Sequence, residues 1–74
     1  MNYEQFFNDV KSWINECNNQ AVSLGFLTDE FWNWAVKSLS ELTGKYNNEK
    51  LVMKQADMLL SWLEDTWREV KNGS

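Results

Sequence analysis

The 74-residue sequence contains no proline, no histidine, one cysteine and three glycines. A chain of this length forms one domain at most, so we assign residues 1–74 to a single domain. One cysteine cannot form an internal disulfide, and without histidine there are too few ligands for a tetrahedral zinc site. The missing histidine also removes the usual base of a nucleophilic site. We therefore expect no catalytic residues, no cofactor and no bound metal.

Long apolar runs are also missing. No stretch approaches the roughly 18 apolar residues that a membrane span requires. No basic segment followed by an apolar segment opens the chain, so we expect no signal peptide, and with one free thiol we expect a cytoplasmic protein. The net charge is −4, which repels phosphate and favours a partner with a basic surface. Direct contact with nucleic acid or with a membrane is therefore not expected.

Aromatic residues and helical spacing dominate what the chain does contain. There are five Trp, four Phe and two Tyr, and apolar residues recur three and four positions apart, which predicts amphipathic helices. The spacing predicts helices at about 3–24, 29–43 and 48–71. Short connections make neighbouring helices antiparallel, so the expected fold is an all-α, up-down-up three-helix bundle.

Residues typical of helix ends stand at the predicted boundaries. Asn2, Thr28 and Asn47 are in position to cap the starts of the three helices, because their side chains accept from free backbone N–H groups. Gly25 and Gly44 follow the first two helices, where glycine tolerates the left-handed conformation that ends a helix.

The third helix carries more apolar surface than a three-helix bundle needs. One stripe is expected to face the rest of the domain, and its apolar members are Leu51, Val52, Leu59, Trp62, Leu63 and Val70. A second stripe predicts a self-association surface, and its members are Met53, Ala56, Leu60, Leu63 and Trp67. Three of these lie seven residues apart, as in a coiled-coil seam, and large apolar patches are rarely left exposed on monomers. We therefore expect a homodimer, unless the other two helices wrap widely enough to make this stripe part of the core.

The first two helices are acidic and carry a tryptophan outside the predicted core direction. Residues 1–44 hold six acidic residues and two lysines. Trp34 points about 100° away from the apolar face of its helix, which suggests an exposed binding residue. With Asp29, Glu30 and Glu41 it predicts a partner-binding face, whereas the alternative is that Trp34 closes the edge of the bundle. The first helix carries an apolar stripe expected to face the core, which includes Tyr3, Phe7 and Cys17. Cys17 is therefore expected to be a buried, unreactive thiol.

These features favour protein binding without catalysis. By analogy of size and charge, we expect a small regulator or inhibitor, of the kind found in phages or mobile elements. It would mask a surface of a larger protein such as a nucleic-acid enzyme or a defence system. The alternative is an assembly subunit whose homo-oligomer is the function. Two weaker alternatives are a DNA mimic and a helical DNA-binding regulator that uses Lys50 and Lys54. The second is disfavoured because no arginine, the residue that usually reads bases, stands near these lysines.

Overall fold

The structure is a computed structural model that describes residues 1–73, and it contains three α-helices. They are α1 (Tyr3–Gln20), α2 (Asp29–Lys45) and α3 (Lys50–Gly73), and a π-helical segment, Ala21–Gly25, continues α1. No strand occurs in the part of the chain that is described. The predicted all-α three-helix bundle is confirmed. Within residues 1–73, no helix combines the length and apolar character needed to cross a membrane.

The start of α1 and both ends of the α1–α2 connection follow the sequence signals. The side chain of Asn2 accepts a hydrogen bond from the backbone N–H of Gln5 at 3.0 Å. Thr28 caps α2 in the same way, accepting from the N–H of Phe31 at 3.3 Å. Gly25 has φ +89°. This left-handed conformation is strained for residues with a side chain, which explains why glycine stands at the end of the first helix. These caps hold α1 and α2 in the hairpin arrangement.

The α2–α3 turn differs from the prediction. Gly44 lies inside α2 with helical backbone, and the left-handed residues are Asn47 (φ 57°) and Asn48 (φ 55°). The N–H of Asn47 donates to Gly44 O at 3.1 Å and that of Asn48 to Thr43 O at 2.9 Å, which is the Schellman pattern. Asparagine tolerates this region better than other residues with a side chain. The predictions that Gly44 ends α2 and that Asn47 caps α3 are therefore wrong.

The core draws on all three helices but is organised around α2. Ten apolar residues are buried: Phe6, Val10, Trp13, Cys17, Phe31, Ala35, Leu39, Val52, Leu59 and Leu63. Helix α2 packs against both neighbours, whereas no Cα of α1 lies within 8 Å of a Cα of α3 in the described chain. The molecule measures 41 × 20 × 18 Å, and the 24 residues of α3 account for about 36 Å of its long axis.

Polar contacts fix α1 antiparallel to α2. The indole N–H of Trp13 donates to Ser38 Oγ at 2.7 Å. One helical turn earlier on α1, Asp9 Oδ2 lies 2.8 Å from Lys45 Nζ and accepts a hydrogen bond from the hydroxyl of Tyr46. These bonds join the middle of α1 to the middle and the end of α2 and set the offset between the two helices.

Candidate interaction surfaces

The structure divides the predicted self-association residues between core and surface. Leu63 is only 1% exposed and belongs to the core, so it is not available to a partner. Ala56 and Leu60 are half-buried and pack against the core, while Met53 is exposed. Trp67 is half-buried near the other end of α3. The five predicted self-association residues therefore do not form one continuous exposed surface.

Met53, Ala56 and Leu60 line a shallow groove of about 250 Å³ between α2 and α3, which we call the α2–α3 groove. The remaining lining residues are Val36, Leu39, Ser40, Thr43 and Asp57. Val36 is 53% exposed and Met53 42%, so both present apolar side chains to solvent. Val36 was not predicted as a surface residue, although it follows Trp32 by one helical turn and therefore lies on the same face of α2.

Trp34 is not the freely exposed tryptophan that was expected. It is half-buried, and its ring stacks on that of Trp13 with centroids 5.5 Å apart and planes 13° apart. Its centroid also lies 5.9 Å from that of Phe31. Trp34 thus closes the edge of the α1–α2 interface, as the alternative interpretation proposed, and a partner could reach only part of it.

The three acidic residues predicted to surround Trp34 are all exposed but do not share one face. Glu30 and Glu41 are eleven positions apart on α2, which places them within about 20° of each other around the helix. Asp29 lies about 100° from Glu30 around the axis of α2. The predicted partner-binding face is therefore split, with Asp29 on the side of Trp32 rather than on the side of Trp34.

Several large apolar residues expected in the core are exposed on the flanks of α1 and α3. Tyr3 and Phe7 on α1, and Leu51 and Trp62 on α3, are all exposed. In the described chain α2 has Cα atoms within 8 Å of both neighbours, whereas no Cα of α1 lies within 8 Å of a Cα of α3, although both helices contribute to the same core. Helical periodicity gives the direction of a side chain but not the distance to the next helix.

A second concave site lies between the start of α2 and the last turns of α3. Trp32, Glu64, Trp67 and Arg68 line a pocket of about 390 Å³, which we call the Trp32–Trp67 pocket. The indole nitrogen of Trp67 is buried and has no hydrogen-bond acceptor among residues 1–73. A buried donor without a partner costs about 1–3 kcal/mol, so this atom is the most unusual polar group of the site.

Charged side chains surround this pocket. Arg68 lies 3.9 Å from Glu64, four residues earlier on α3, and 3.5 Å from Asp65. These pairs are exposed and contribute little to stability. Lys71 Nζ lies 4.7 Å from the centroid of the Trp67 ring, so its ammonium group makes a cation–π contact with one face of that indole.

The titratable groups with shifted pKa values have structural explanations. Hydrogen bonds from Lys45 and Tyr46 lower the pKa of Asp9. Burial, together with the bond to Asp9, raises the pKa of Tyr46 to about 12. Burial also raises the pKa of Cys17, which is free and 3% exposed. The prediction that Cys17 is a core residue is confirmed, whereas the Asp9 cluster was missed because its members are far apart in sequence.

In the described part of the chain, no three or more Cys, Asp or Glu side chains gather where they could hold a metal ion. Comparison with known proteins found no matching family model, no significantly similar curated protein and no significantly similar solved structure. The groove and the pocket are therefore the features of the protein that bear on its function.

Proposed function

We propose that the protein is a non-enzymatic binding module that docks on a larger protein through the α2–α3 groove. The observation that carries this proposal is the pair of exposed apolar side chains, Val36 and Met53, above a floor that includes Leu39 and Leu60. A groove between two helices accepts the apolar face of a third helix. The occupant we propose is an amphipathic helix of the partner.

Charge supports a basic partner. Asp57 lines the groove, and the chain carries a net charge of −4. A basic residue on the docking helix would lie opposite Asp57, and the field of the whole protein would speed encounter with a basic surface. This is the behaviour of a small acidic regulator or inhibitor, of phage or mobile-element type, that covers a surface of a nucleic-acid enzyme or defence protein. We propose that it acts in the cytoplasm, where its single free thiol would stay reduced.

A second candidate is self-assembly, in which another copy fills the same groove. Met53 and Leu60 are seven residues apart on α3 and both line the groove. In a two-fold symmetric dimer each copy would present this seam to the other, as in a short antiparallel coiled coil. The protein would then be a structural or assembly subunit.

Substitution at the exposed groove residues tests both candidates. Val36→Glu with Met53→Glu places two charges in the groove without burying them, since both side chains are already exposed. We expect this variant to remain helical and to lose association, either capture of a partner or a concentration-dependent mass of twice 8.8 kDa. Affinity purification and size-exclusion chromatography with light scattering measure these two losses.

Met58→Glu is the matched control. Met58 is 52% exposed on α3 but lies about 140° around the helix from Met53, counted at about 100° per residue. This variant should associate like the unaltered protein. Association that survives the double groove substitution, or that is lost equally in the Met58 control, would remove the groove from consideration.

A further inference from the structure

We propose that Asn72 is a site of spontaneous deamidation, at which the side-chain amide is converted through a succinimide ring to aspartate and isoaspartate. Asn72 is followed by Gly73 in the last turn of α3. The co-reactant is water, so the change needs no enzyme and no cofactor. The inference goes beyond the proposed function, because it concerns a covalent change in a part of the chain outside the α2–α3 groove.

The reaction begins at the backbone nitrogen of Gly73. After losing its proton to hydroxide, this nitrogen attacks Cγ of Asn72. The bond from Cγ to Nδ2 then breaks, and the side-chain nitrogen takes up a proton and leaves as ammonia. Water adds to one of the two ring carbonyls and opens the ring. Opening on one side gives aspartate, and opening on the other gives isoaspartate, in which the main chain passes through the side-chain carbon.

Glycine at position 73 leaves the attacking nitrogen accessible. Ring closure brings this nitrogen against the side-chain carbon of the preceding residue, and a side chain on the attacking residue hinders that approach. Glycine has no Cβ and reaches backbone conformations that other residues avoid. No other asparagine of the sequence precedes a glycine, so the chemistry singles out Asn72.

The end of α3 is held by few buried contacts. A helical backbone keeps the attacking nitrogen away from the side chain, so the last turn must open before the ring closes. No side chain from Arg68 to Gly73 is buried, and the last buried residue of α3 is Leu63. Helix ends of this kind open at little cost in free energy. Asn72 therefore reaches the reactive conformation more often than the asparagines within α1 and α2.

The asparagines of the α2–α3 turn are protected from the same reaction. Asn47 and Asn48 are exposed and lie outside the helices, but the nitrogens that would attack them belong to Asn48 and Glu49. These two nitrogens donate hydrogen bonds to Thr43 O at 2.9 Å and to Tyr46 O at 3.3 Å. Both attacking residues also carry side chains, so ring closure in the turn is hindered by the hydrogen bonds and by sterics.

Deamidation would change the end of α3 in two ways. It adds a negative charge to a chain whose net charge is already −4, at a helix C-terminus, where the helix dipole disfavours a carboxylate. Isoaspartate also inserts an extra carbon atom into the main chain, which breaks the regular spacing of the helix. The product should therefore be less helical at residue 72.

Peptide mapping by mass spectrometry tests the proposal on protein aged at neutral pH in ¹⁸O-labelled water. Labelled oxygen marks the carboxylates that form during the incubation. We expect label at Asn72 before any other asparagine, with isoaspartate among the products. The rate should rise with pH, because the attacking nitrogen must lose its proton.

Gly73→Ala is the matched variant, and Gly44→Ala is its control. Alanine at position 73 should slow labelling of Asn72 by about two- to fivefold through its helix preference over glycine, and further because its Cβ hinders the attacking nitrogen. The same substitution at position 44 in α2 should leave the rate at Asn72 unchanged. Neither glycine is buried, so both variants keep the core.

Three results would overturn the inference. They are an unlabelled Asn72 after prolonged ageing, earlier labelling of Asn47 or Asn48, and an unchanged rate in Gly73→Ala. None of them bears on Val36 or Met53, so the groove proposal stands or falls separately.

Discussion

Replacing Gly44 by alanine should stabilise the protein. A sequence interpretation that makes Gly44 the left-handed end of α2 predicts the opposite, because alanine is strained in that conformation. In the structure Gly44 has helical backbone, and a Cβ built on it meets nothing within 4 Å. Asn47 and Asn48 take the left-handed positions instead. The sign of the change therefore decides between the two descriptions of the turn.

The magnitude follows from the backbone alone. Alanine is favoured over glycine by about 0.8–1.0 kcal/mol in a helix interior, and less at the end of a helix. Since Gly44 lies in the last turn of α2, we expect a gain of about 0.5–1 kcal/mol in the free energy of unfolding. For a domain of this size, that gain raises Tm by about 2–8 °C.

Gly25→Ala is the matched control with the opposite expected sign. Gly25 has φ +89°, and a Cβ there would lie 3.1 Å from Thr28 Cγ2. A left-handed alanine costs about 1–2 kcal/mol, partly offset by the lower entropy of the unfolded chain. We expect a net loss of about 1 kcal/mol.

Urea and thermal unfolding followed by circular dichroism measure both variants against the unaltered protein. A stabilised Gly44→Ala with a destabilised Gly25→Ala supports the turn as described. Destabilisation of both variants would mean that residue 44 is left-handed in solution, and the Asn47–Asn48 turn would be wrong. Stabilisation by both would contradict the assigned conformation of Gly25.

Two further predictions concern the polar contacts between α1 and α2. Ser38→Ala removes the acceptor of the Trp13 indole N–H, so the free energy of unfolding should fall by about 1–3 kcal/mol. The control Ser12→Ala, at an exposed site, should change that free energy little. Equal changes in the free energy of unfolding for the two variants would contradict the Trp13–Ser38 hydrogen bond. The pKa of Asp9 is lower in the folded protein than its ordinary value of 3.8. The ionised side chain therefore stabilises the fold fully above pH 3.8, and this stabilisation is lost as pH falls through the lowered pKa. Asp9→Asn should therefore flatten the acid side of the Tm–pH profile and bring the pKa of Tyr46 down from about 12, measured by tyrosinate absorbance; an unchanged profile and titration would refute the pairing.

Features set by a few neighbouring residues could be predicted from the sequence. Asn2, Thr28 and Gly25 act where their local patterns place them, because caps and left-handed stops depend on one turn of chain. The α2–α3 turn was harder, because Gly44 and Asn47 can both adopt the left-handed conformation. Which of them does so depends on where α2 stops packing on its neighbours.

Features that depend on the distance between helices could not be predicted. The stripe of α3 was correctly expected to bury Val52 and Leu59, but Trp62 belongs to the same arc and is exposed. The helical periodicity of α2 predicted the direction in which Trp34 points, but it could not predict that the Trp13 ring stacks on Trp34 and covers part of it. For the candidate sites, sequence indicated Met53 and Leu60 but not Val36, since a groove needs the offset between two helices.

The absence of close backbone approach between α1 and α3 within residues 1–73 also affects how the chain folds. The molecule consists of two helical hairpins, α1–α2 and α2–α3, that share their middle helix. Each hairpin joins segments adjacent in sequence, which lowers the entropy lost on closing the chain and favours rapid folding. Whichever hairpin forms first offers the remaining helix a prepared surface on α2. A change that weakens α2 therefore weakens both hairpins, because the buried residues of α1 and α3 belong to the same core as those of α2.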